Sequence, residues 1–344
     1  MSKTVFVGLS GGVDSSVAAA LLKKAGYNVV GVFIRTWQPD FIECNFKEDR
    51  LDAMRVAAHL DIPFLECDAE DEYKKSVADY MIEEYRAGRT PNPDVMCNRE
   101  IKFGVFWRFA KEHGADFIAT GHYAKTDGTH LMKAFDPTKD QAYFLYRLTK
   151  DDLAHVMFPL GDLKKTEVRA LAEKFGLPTS TKKDSQGICM LGDLDLKDFL
   201  SHYIPQQPGD VLSEEGEVIG HHDGAIFLTL GERHGFTITK KGTSDDRQYI
   251  VARDIEKNTI TVSDKNKDTK ALSKKEFELS KTSWVTDAPE SGKEYTAQVR
   301  YHGQYLQCMV QDSIVTFNEP VLVAAGQSIV IYDEDACMGG GIVV

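Results

Sequence analysis

Short apolar segments typical of buried β-strands alternate with helical segments through the first 200 residues. The strand patterns are TVFVGLS (4–10), YNVVGVFIRTW (27–37), IPFLECD (62–68) and ADFIATG (115–121). The first helical pattern between them, VDSSVAAALLKKAG, ends at Gly26, a common helix stop signal. Alternation at this spacing predicts an α/β fold with a parallel sheet and helices on both faces.

The pattern changes after Pro205, where Gly, Thr, Val and Ile become more frequent. The runs AIFLTLG, QYIVARD and NTITVSD predict short strands joined by turns. A second all-β stretch runs from about Glu276 to the end and predicts a small barrel or sandwich. We therefore expect three domains, at 1–204, 205–271 and 272–344.

Composition agrees with a globular protein of two or three domains. The chain has 344 residues, of which 42% are apolar and 27% charged. It has no run of about 18 apolar residues, so we expect no membrane partner. The strand pattern that begins at Thr4 leaves no room for a leader peptide, and we expect a cytoplasmic location.

The formal net charge of −12 argues against a nucleic-acid-binding protein. The charges are unevenly distributed, however. Residues 301–344 contain no Lys or Arg, whereas residues 139–183 contain nine basic and six acidic side chains. Locally basic surfaces are therefore compatible with the acidic total, although solvated helix faces explain these lysines equally well.

The glycine-rich segment SGGVDSS, from Ser10 to Ser16, lies between the first strand and the first helix. Two glycines permit the tight backbone turn that cradles an anion, and free N–H groups at the helix start favour negative charge. The segment lacks the Gly-Lys-Ser/Thr ending of a Walker A loop. It resembles the pyrophosphate-binding loop of the N-type ATP pyrophosphatases, which implies ATP as cofactor. Asp14 suits a Mg²⁺-linked role there, because a triphosphate normally arrives with the metal.

The chain has six cysteines and no CxxC pair, which argues against a zinc ribbon or a thioredoxin-type site. Cys97 follows the loop RTPNPDVM and is expected at a helix start, where the dipole lowers a thiol pKa. Cys189 lies in KKDSQGICMLG, where Lys182 and Lys183 also favour the thiolate. We expect the remaining four to be inert: Cys44, Cys67, Cys308 and Cys337.

Seven motifs in sequence order resemble the bacterial tRNA-specific 2-thiouridylases, the MnmA (TrmU) family. They are GLSGGVDSS, RTPNPDVMCNREIKF, GHYAK, KDQAYFL, DSQGIC, PVLVAAGQSIVIYD and MGGGI, and VRYHGQ adds to the likeness. The resemblance covers nearly the whole chain. It implies an adenine-nucleotide hydrolase-like α/β domain, a small central β-rich domain and a C-terminal β-barrel. It also implies thiolation of the wobble uridine of glutamate, glutamine and lysine tRNAs.

The resemblance further assigns roles to individual positions. The positions implied for ATP are Gly8, Leu9, Ser10, Gly11, Gly12, Val13, Asp14, Ser15, Ile34 and Gly121. Those implied for the target base are Asn92, Pro93 and Asp94, and those for tRNA are His122, Lys139, Asp140, Gln141, Arg300, Tyr301 and Gln327. Cys97 matches the family's nucleophile and Cys189 its persulfide carrier. Asp94 is the local candidate for general acid–base catalysis.

This chemistry requires a sulfur donor, either a relay protein or a cysteine desulfurase, because nothing in the chain resembles a desulfurase. Two routes remain open, since either a persulfide or released hydrosulfide can attack the base. Rival interpretations are an amide-forming ligase, a non-catalytic tRNA-binding protein and an iron–sulfur enzyme using Cys97, Cys189 and Cys44.

Three features depart from the family pattern. Glu232 stands where Gln is usual, Thr237–Arg247 differs from the usual continuation, and Ile34 replaces a commoner Met. The first two bear on tRNA contact, and the third is a change of nearly equal volume.

Overall fold

The computed structural model describes residues 2–41, 46–183, 190, 195–240, 248–264 and 273–344. Within these residues, no helix is long and apolar enough to cross a membrane. Two sequence predictions, the inert Cys44 and the reactive Cys189, lie outside them, as does most of the divergent Thr237–Arg247 segment.

The first part of the chain alternates strands and helices as predicted. Its elements are β1 (Thr4–Gly8), α1 (Val13–Lys24), β2 (Asn28–Arg35), α2 (Phe46–His59), β3 (Phe64–Asp68), α3 (Glu70–Tyr73), α4 (Tyr80–Arg86), α5 (Pro93–Met96), α6 (Phe106–Glu112), β4 (Phe117–Ala119), β5 (Lys125–Thr126), β6 (Leu131–Met132), α7 (Ala142–Leu145), α8 (Lys150–Leu153), β7 (Val156–Met157), α9 (Lys165–Lys174) and α10 (Leu196–Ser201). Strands β3-β2-β1-β4-β7 form a parallel five-stranded sheet in that order, which confirms the predicted fold class.

Both faces of this sheet are covered by helices. Along β1, Phe6 packs into one apolar cluster, whereas its neighbours Val5 and Val7 pack into another. The first cluster includes the helical residue Phe106, and the second includes Val56 of α2. The alternation follows from the two-residue period of a strand. The glycine-rich loop follows the carboxyl end of β1.

Two of the helices contain π-helical stretches. Lys74–Asp79 joins α3 to α4, and Cys97–Val105 joins α5 to α6. The second helix therefore runs from Pro93 to Glu112 without a break. Such π segments occur often at functional sites.

The central domain is a five-stranded sheet in the order β10-β9-β8-β12-β11. Its strands are β8 (Gly209–Leu212), β9 (Val218–His222), β10 (Phe236–Ile238), β11 (Gln248–Asp254) and β12 (Thr259–Asp264). The strand predicted for AIFLTLG is wrong, because Ala225–Phe227 forms a 3₁₀-helix. Asn258 Oδ1 accepts the Ala225 N–H at 2.9 Å, so this backbone group is bound to a side chain and not to a strand.

The C-terminal domain is a closed antiparallel barrel. This was one of the two predicted alternatives, a barrel or a sandwich. Its strands are β13 (Lys274–Trp284), β14 (Glu294–Gln298), β15 (Leu306–Gln311), β16 (Ile314–Val321), β17 (Ser328–Asp333) and β18 (Ala336–Val343). The order β13-β16-β15-β14-β17-β18 closes through pairing of β13 with β18.

A hairpin of the first domain extends the barrel. Strand β6 pairs with β5 and also with β18, where Leu131 lies opposite Cys337. The largest apolar cluster accordingly contains Val330 and Tyr332 of the barrel together with residues of the parallel sheet. The barrel and the first domain therefore share a core. The predicted domain limits stay predictions; the second falls outside the described residues.

Candidate active site

The glycine-rich loop forms a tight turn between β1 and α1. Gly11 has φ +73°, and a Cβ atom there would lie 2.4 Å from the Asp49 carbonyl oxygen. Ser15 Oγ accepts the Ser10 N–H at 3.2 Å and closes the turn. The loop therefore requires glycine at position 11, and it begins a twelve-residue helix whose positive dipole end favours a phosphate.

Asp14, in the first turn of α1, is held by two side chains that the sequence analysis did not single out. Lys165 Nζ lies 2.7 and 2.8 Å from the two carboxylate oxygens, and the Tyr123 hydroxyl donates to Oδ1 at 3.0 Å. Lys165 begins α9 and is half-buried. A carboxylate, an ammonium group and a helix N-terminus thus meet at the loop, a set suited to a metal-bound triphosphate.

Gly121 brings the β4 end against the same loop. A Cβ atom at Gly121 would lie 2.7 Å from the Ser15 nitrogen, so no side chain fits. His122 follows and is buried, with its Nδ1 2.7 Å from Thr120 Oγ1 and its Nε2 3.4 Å from Lys102 Nζ. Burial lowers the pKa of His122 well below its usual value, and the Lys102 charge adds to this. The ring is therefore neutral near pH 7.

Gly8 and Ile34 pack against the helix that carries Cys97. A Cβ atom at Gly8 would lie 3.5 Å from Phe106 and 3.9 Å from Ile34. Both Ile34 and Phe106 belong to the apolar cluster that contains Cys97. The predicted nucleotide loop and the predicted nucleophile therefore lie on neighbouring elements.

Cys97 is fully buried, and its position on the helix differs from the prediction. The helix begins at Pro93, with Asn92 as the N-cap whose side chain accepts the Val95 N–H at 3.4 Å. Cys97 therefore lies one turn inside the helix, at the junction of α5 with the π-helical stretch. The predicted placement of Cys97 at the helix start is therefore wrong, and a helix dipole acts mainly within the first turn.

The predicted target-base residues form the start of this helix. The Asn92 side chain hydrogen-bonds the Tyr143 phenol, and the charge of Asp94 contributes to raising the pKa of Tyr301 to about 12, after burial and Asp140. Asn92, Pro93 and Asp94 are all partly accessible, unlike Cys97. An RNA base at this surface would lie next to the buried thiol.

Cys189 lies outside the described residues, but its neighbour Met190 is described. The Met190 side chain packs against the cluster that includes Cys97, and its carbonyl accepts the Gln38 Nε2 hydrogen at 2.9 Å. Lys182, expected to favour the Cys189 thiolate, instead lies 2.8 and 2.7 Å from the carboxylates of Asp49 and Asp52 on α2. Two carboxylates therefore offset its charge.

The predicted tRNA residues of the first domain have structural partners. The Asp140 carboxylate is buried and accepts the Ala134 N–H at 2.7 Å, and burial raises its pKa. Gln141 exchanges hydrogen bonds with the backbone of Tyr123 at 2.8 and 3.0 Å. Lys139 is partly accessible. The segment thus links the barrel side of the domain to Tyr123, which holds Asp14.

The barrel contributes Arg300, Tyr301 and Gln327. Arg300 is exposed, and the Tyr301 ring packs on Phe144 with 4.3 Å between centroids. A cavity of about 320 Å³ lies between the two domains there, with Asp140 and Tyr301 among its lining residues. Gln327 does not line this cavity. Its Nε2 donates to the Thr90 carbonyl at 2.9 Å.

The cysteines expected to be inert are buried where they are described. Burial raises the pKa of Cys67 to about 11, and that of Cys308 and Cys337 to about 12. These thiols are therefore protonated at neutral pH and are poor nucleophiles.

Comparison with known proteins agrees with this arrangement. Residues 3–193 match the family description tRNA methyl transferase HUP domain, 197–264 its PRC-barrel domain, and 274–343 an aminomethyltransferase β-barrel domain. The tRNA-specific 2-thiouridylase MnmA of Chromobacterium violaceum is 47% identical over 99% of this chain and 92% of its own length. The chain belongs to the MnmA family. The Bacillus subtilis MnmA is 44% identical over 98% of this chain and 94% of its own length.

Some solved structures align with a little over half of the chain. A 4-thiouridine synthetase in complex with RNA and bound ATP is 22% identical, covering 54% of this chain and 44% of its own, with a TM-score of 0.35. Membership of the MnmA family rests on the relatives that match along the full length.

Proposed function

We propose that this protein is an ATP-dependent sulfurtransferase that converts the wobble uridine of glutamate, glutamine and lysine tRNAs to 2-thiouridine. The observation that carries the proposal is that the residues after β4 lie between the glycine-rich loop and the Cys97 helix. Gly121 packs closely against the backbone of Asp14 and Ser15, and the adjacent His122 lies beside Lys102 of the Cys97 helix. Names of the MnmA relatives support the substrate class.

ATP would bind at the Ser10–Ser15 loop, which suits a phosphate because it leads into the N-terminus of α1. Lys165 would neutralise phosphate charge. Asp14 is the candidate carboxylate for a Mg²⁺ ion brought by the nucleotide; the described residues contain no group of three or more His, Cys, Asp or Glu side chains that could hold a metal ion by itself. Bound Mg²⁺ supplies charge neutralisation of the phosphates.

ATP serves to activate an unreactive carbonyl. The C2 carbonyl of uridine is urea-like, and oxide is a poor leaving group. Attack of uridine O2 on the α-phosphorus forms an O–P bond and expels pyrophosphate. The oxygen then departs as part of AMP when sulfur attacks C2. Asp94, beside the accessible target-base surface, is the candidate acid–base group for the accompanying proton transfer.

Sulfur transfer would use Cys189 as the carrier and Cys97 as the second thiol. In one route, the terminal sulfur of a Cys189 persulfide attacks C2 and AMP leaves. The Cys97 thiolate then attacks the Cys189 sulfur, which breaks the S–S bond, frees the thiocarbonyl and forms a Cys97–Cys189 disulfide. In the other, Cys97 first releases hydrosulfide, which attacks C2. Both routes need an external reductant for the disulfide and a desulfurase or relay protein to recharge Cys189.

Recognition of tRNA would combine the first domain with the barrel. A wobble base must leave the anticodon stack to reach the site, as in other enzymes that modify bases. The cavity between Asp140 and Tyr301 lies where both domains can contact the loop nucleotides, and exposed Arg300 is suited to a phosphate. His122 and Gln327 stay predicted contacts that would require movement or an indirect role.

An isotope experiment tests the proposed reaction. An anticodon stem-loop of glutamate tRNA is synthesised with ¹⁸O at O2 of the wobble uridine and incubated with ATP, Mg²⁺ and a sulfide donor. The proposal predicts 2-thiouridine and an equal amount of AMP that carries ¹⁸O. A stem-loop with cytidine at the wobble position is the control. Thiolation without label in AMP would contradict the adenylated intermediate, and ATP turnover without thiolation would favour a ligase.

A further inference from the structure

The segment between α4 and α5 is held by both accessory domains. It runs from Gly88 to Asn92 and leads directly into the predicted target-base residues. The central domain contacts one end of the segment through Arg253, and the barrel contacts the middle through Gln327. Its position therefore depends on how the three domains fit together.

The helix that precedes the segment ends in a glycine turn. Gly88 has φ +71°, and its N–H donates to the Tyr85 carbonyl at 2.9 Å. A Cβ atom at Gly88 would lie 3.0 Å from Ile255, next to the end of β11. Position 88 thus has little room to shift toward the central domain.

Arg253, on β11, joins this turn to the central domain. Its guanidinium donates to the Gly88 carbonyl and to the Leu228 carbonyl. The side chain is largely buried, and burial lowers its pKa, with Tyr85 and Glu232 opposing that shift. A buried cation that bonds a carbonyl at a helix C-terminus is favoured by the dipole, and its planar geometry fixes two groups relative to each other.

A second contact from the central domain reaches Thr90. The hydroxyl oxygens of Thr90 and Thr229 lie 3.2 Å apart. Glu232 Oε2 accepts the Thr229 N–H at 2.9 Å, so this departure from the family's usual Gln belongs to the same junction. Glu232 is therefore a structural neighbour of Arg253 and Thr90.

The barrel holds Thr90 from the other side. The Thr90 N–H donates to the Ala325 carbonyl at 2.8 Å, and Gln327 Nε2 donates to the Thr90 carbonyl at 2.9 Å. Arg89 is fixed by a two-point ion pair with Glu84 of α4, at 2.5 and 2.9 Å. The two Thr90 bonds hold the backbone just before Asn92, the N-cap of the Cys97 helix.

We propose that Arg253 is a positioning residue for sulfur transfer, holding Gly88–Asn92 so that Asn92, Asp94 and Cys97 stand in the productive arrangement when tRNA is bound. The inference rests on the proposed function. Arg253 itself does not touch the reacting atoms. Because a displacement of about 1 Å costs on the order of 10²-fold in rate, loosening this junction should slow the chemistry more than it weakens tRNA binding.

The test compares full-length wild type with Arg253→Met, Arg253→Lys and Lys257→Met. Lys257 is an exposed cation of the same domain, paired only with nearby Asp254 among the ion pairs of the described chain, and serves as the matched control. Three quantities are measured: the single-turnover thiolation rate at saturating tRNA and ATP, the Kd for tRNA, and amide hydrogen exchange of residues 87–96.

For Arg253→Met we expect a rate at least about tenfold lower, a tRNA Kd within about threefold of wild type, and faster exchange confined to residues 87–96. Arg253→Lys keeps the charge and reaches one carbonyl, so it should recover part of the rate. Lys257→Met should match wild type in all three.

Two results would overturn the inference. One is a wild-type rate in folded Arg253→Met; the other is a loss of rate matched by an equal loss of tRNA affinity. If Arg253→Met does not fold, amide exchange of Arg253→Lys provides the test. Exchange at residues 87–96 as slow as in wild type would then contradict the proposal. Failure of wild type to thiolate tRNA would refute the proposed function instead, while the exchange comparison still reports on the junction.

Discussion

Asp14 and Lys165 form the most informative residue-scale contact of the nucleotide site. Their side chains meet across 151 positions of sequence, at 2.7 and 2.8 Å. We predict that Lys165→Met lowers tRNA-dependent pyrophosphate release on the order of 10²-fold, because it removes a cation from the proposed phosphate site and breaks the ion pair with Asp14. Release is measured by a coupled pyrophosphate assay at saturating tRNA.

The neighbouring lysine provides the control for that prediction. Lys164 is exposed, and Lys164→Met changes the protein's charge equally without touching Asp14. It should keep the wild-type rate. Equal rates for Lys165→Met and wild type would show that Lys165 does not contribute to the reaction of the nucleotide.

Glu232 gives a prediction about stability and pH. Burial raises its pKa above the usual value, so the folded protein binds this proton more tightly than the unfolded chain does. The stabilisation from protonation is complete below the unfolded pKa and is lost as pH rises through the folded pKa, above which this half-buried carboxylate is charged. We predict that Glu232→Gln, which can still accept the Thr229 N–H, raises Tm at pH 7.5 and that the gain shrinks toward pH 5.

The comparison for this prediction is Glu217→Gln, an exposed glutamate of the same domain. Its Tm should not rise above that of wild type at pH 7.5, nor change relative to wild type toward pH 5. A lower Tm for Glu232→Gln at pH 7.5 would show that the charge of Glu232 stabilises Arg253 more than its burial costs.

At the scale of elements, the end of β4 is pressed against the start of α1. The Cβ atom of Gly121→Ala would fall 2.7 Å from the Ser15 nitrogen, so the nucleotide loop must shift. We predict a weaker apparent affinity for ATP by about tenfold or more, with a small change in Tm. Gly114→Ala is the comparison, since its Cβ meets nothing within 4 Å and costs only backbone strain at φ +84°. Unchanged ATP affinity in Gly121→Ala would contradict the tight contact.

The elements that sequence predicted well are those with a long or regular pattern. The four strand patterns of the parallel sheet were correct because each is a short, largely apolar run next to a helical pattern: a helix follows β1, β2 and β3, and α6 precedes β4. The two-residue strand β7 carries no such pattern and was missed. AIFLTLG has the apolar character of a strand, but its backbone bonds to Asn258, a contact that only the folded chain creates.

Some residues of the candidate site were likewise predicted from the sequence and others were not. Local motifs predicted the glycine-rich loop and Cys97, since their residues are contiguous. Lys165, Tyr123 and Arg253 were not predicted, because each acts through a partner distant in sequence. The position of Cys97 on its helix was misjudged because Asn92, and not a residue next to Cys97, caps that helix.

At the scale of the whole molecule, the barrel and the first domain share one apolar cluster, and the Tyr143 hydroxyl donates to the Ser328 carbonyl at 3.0 Å. We predict that these two parts unfold in a single calorimetric transition. Val330→Ala removes fully buried methyl groups from the shared cluster. It should lower the free energy of unfolding in that transition by about 2 kcal/mol.

Val211→Ala is the matched substitution in the separate core of the central domain. If that domain unfolds on its own, Val211→Ala should lower only its transition. Two resolved transitions for the barrel and the first domain, with Val330→Ala lowering just one, would contradict a shared core.

The most direct test of the central claim is thiolation by cysteine variants. Wild type, Cys97→Ser, Cys189→Ser and Cys308→Ala are incubated with unmodified glutamate tRNA, ATP, Mg²⁺ and a cysteine desulfurase with cysteine, and 2-thiouridine is measured by mass spectrometry. We predict full activity in wild type and in Cys308→Ala, whose thiol is buried in the barrel, and none in the other two. Thiolation that persists in Cys97→Ser or Cys189→Ser would contradict the two-thiol mechanism.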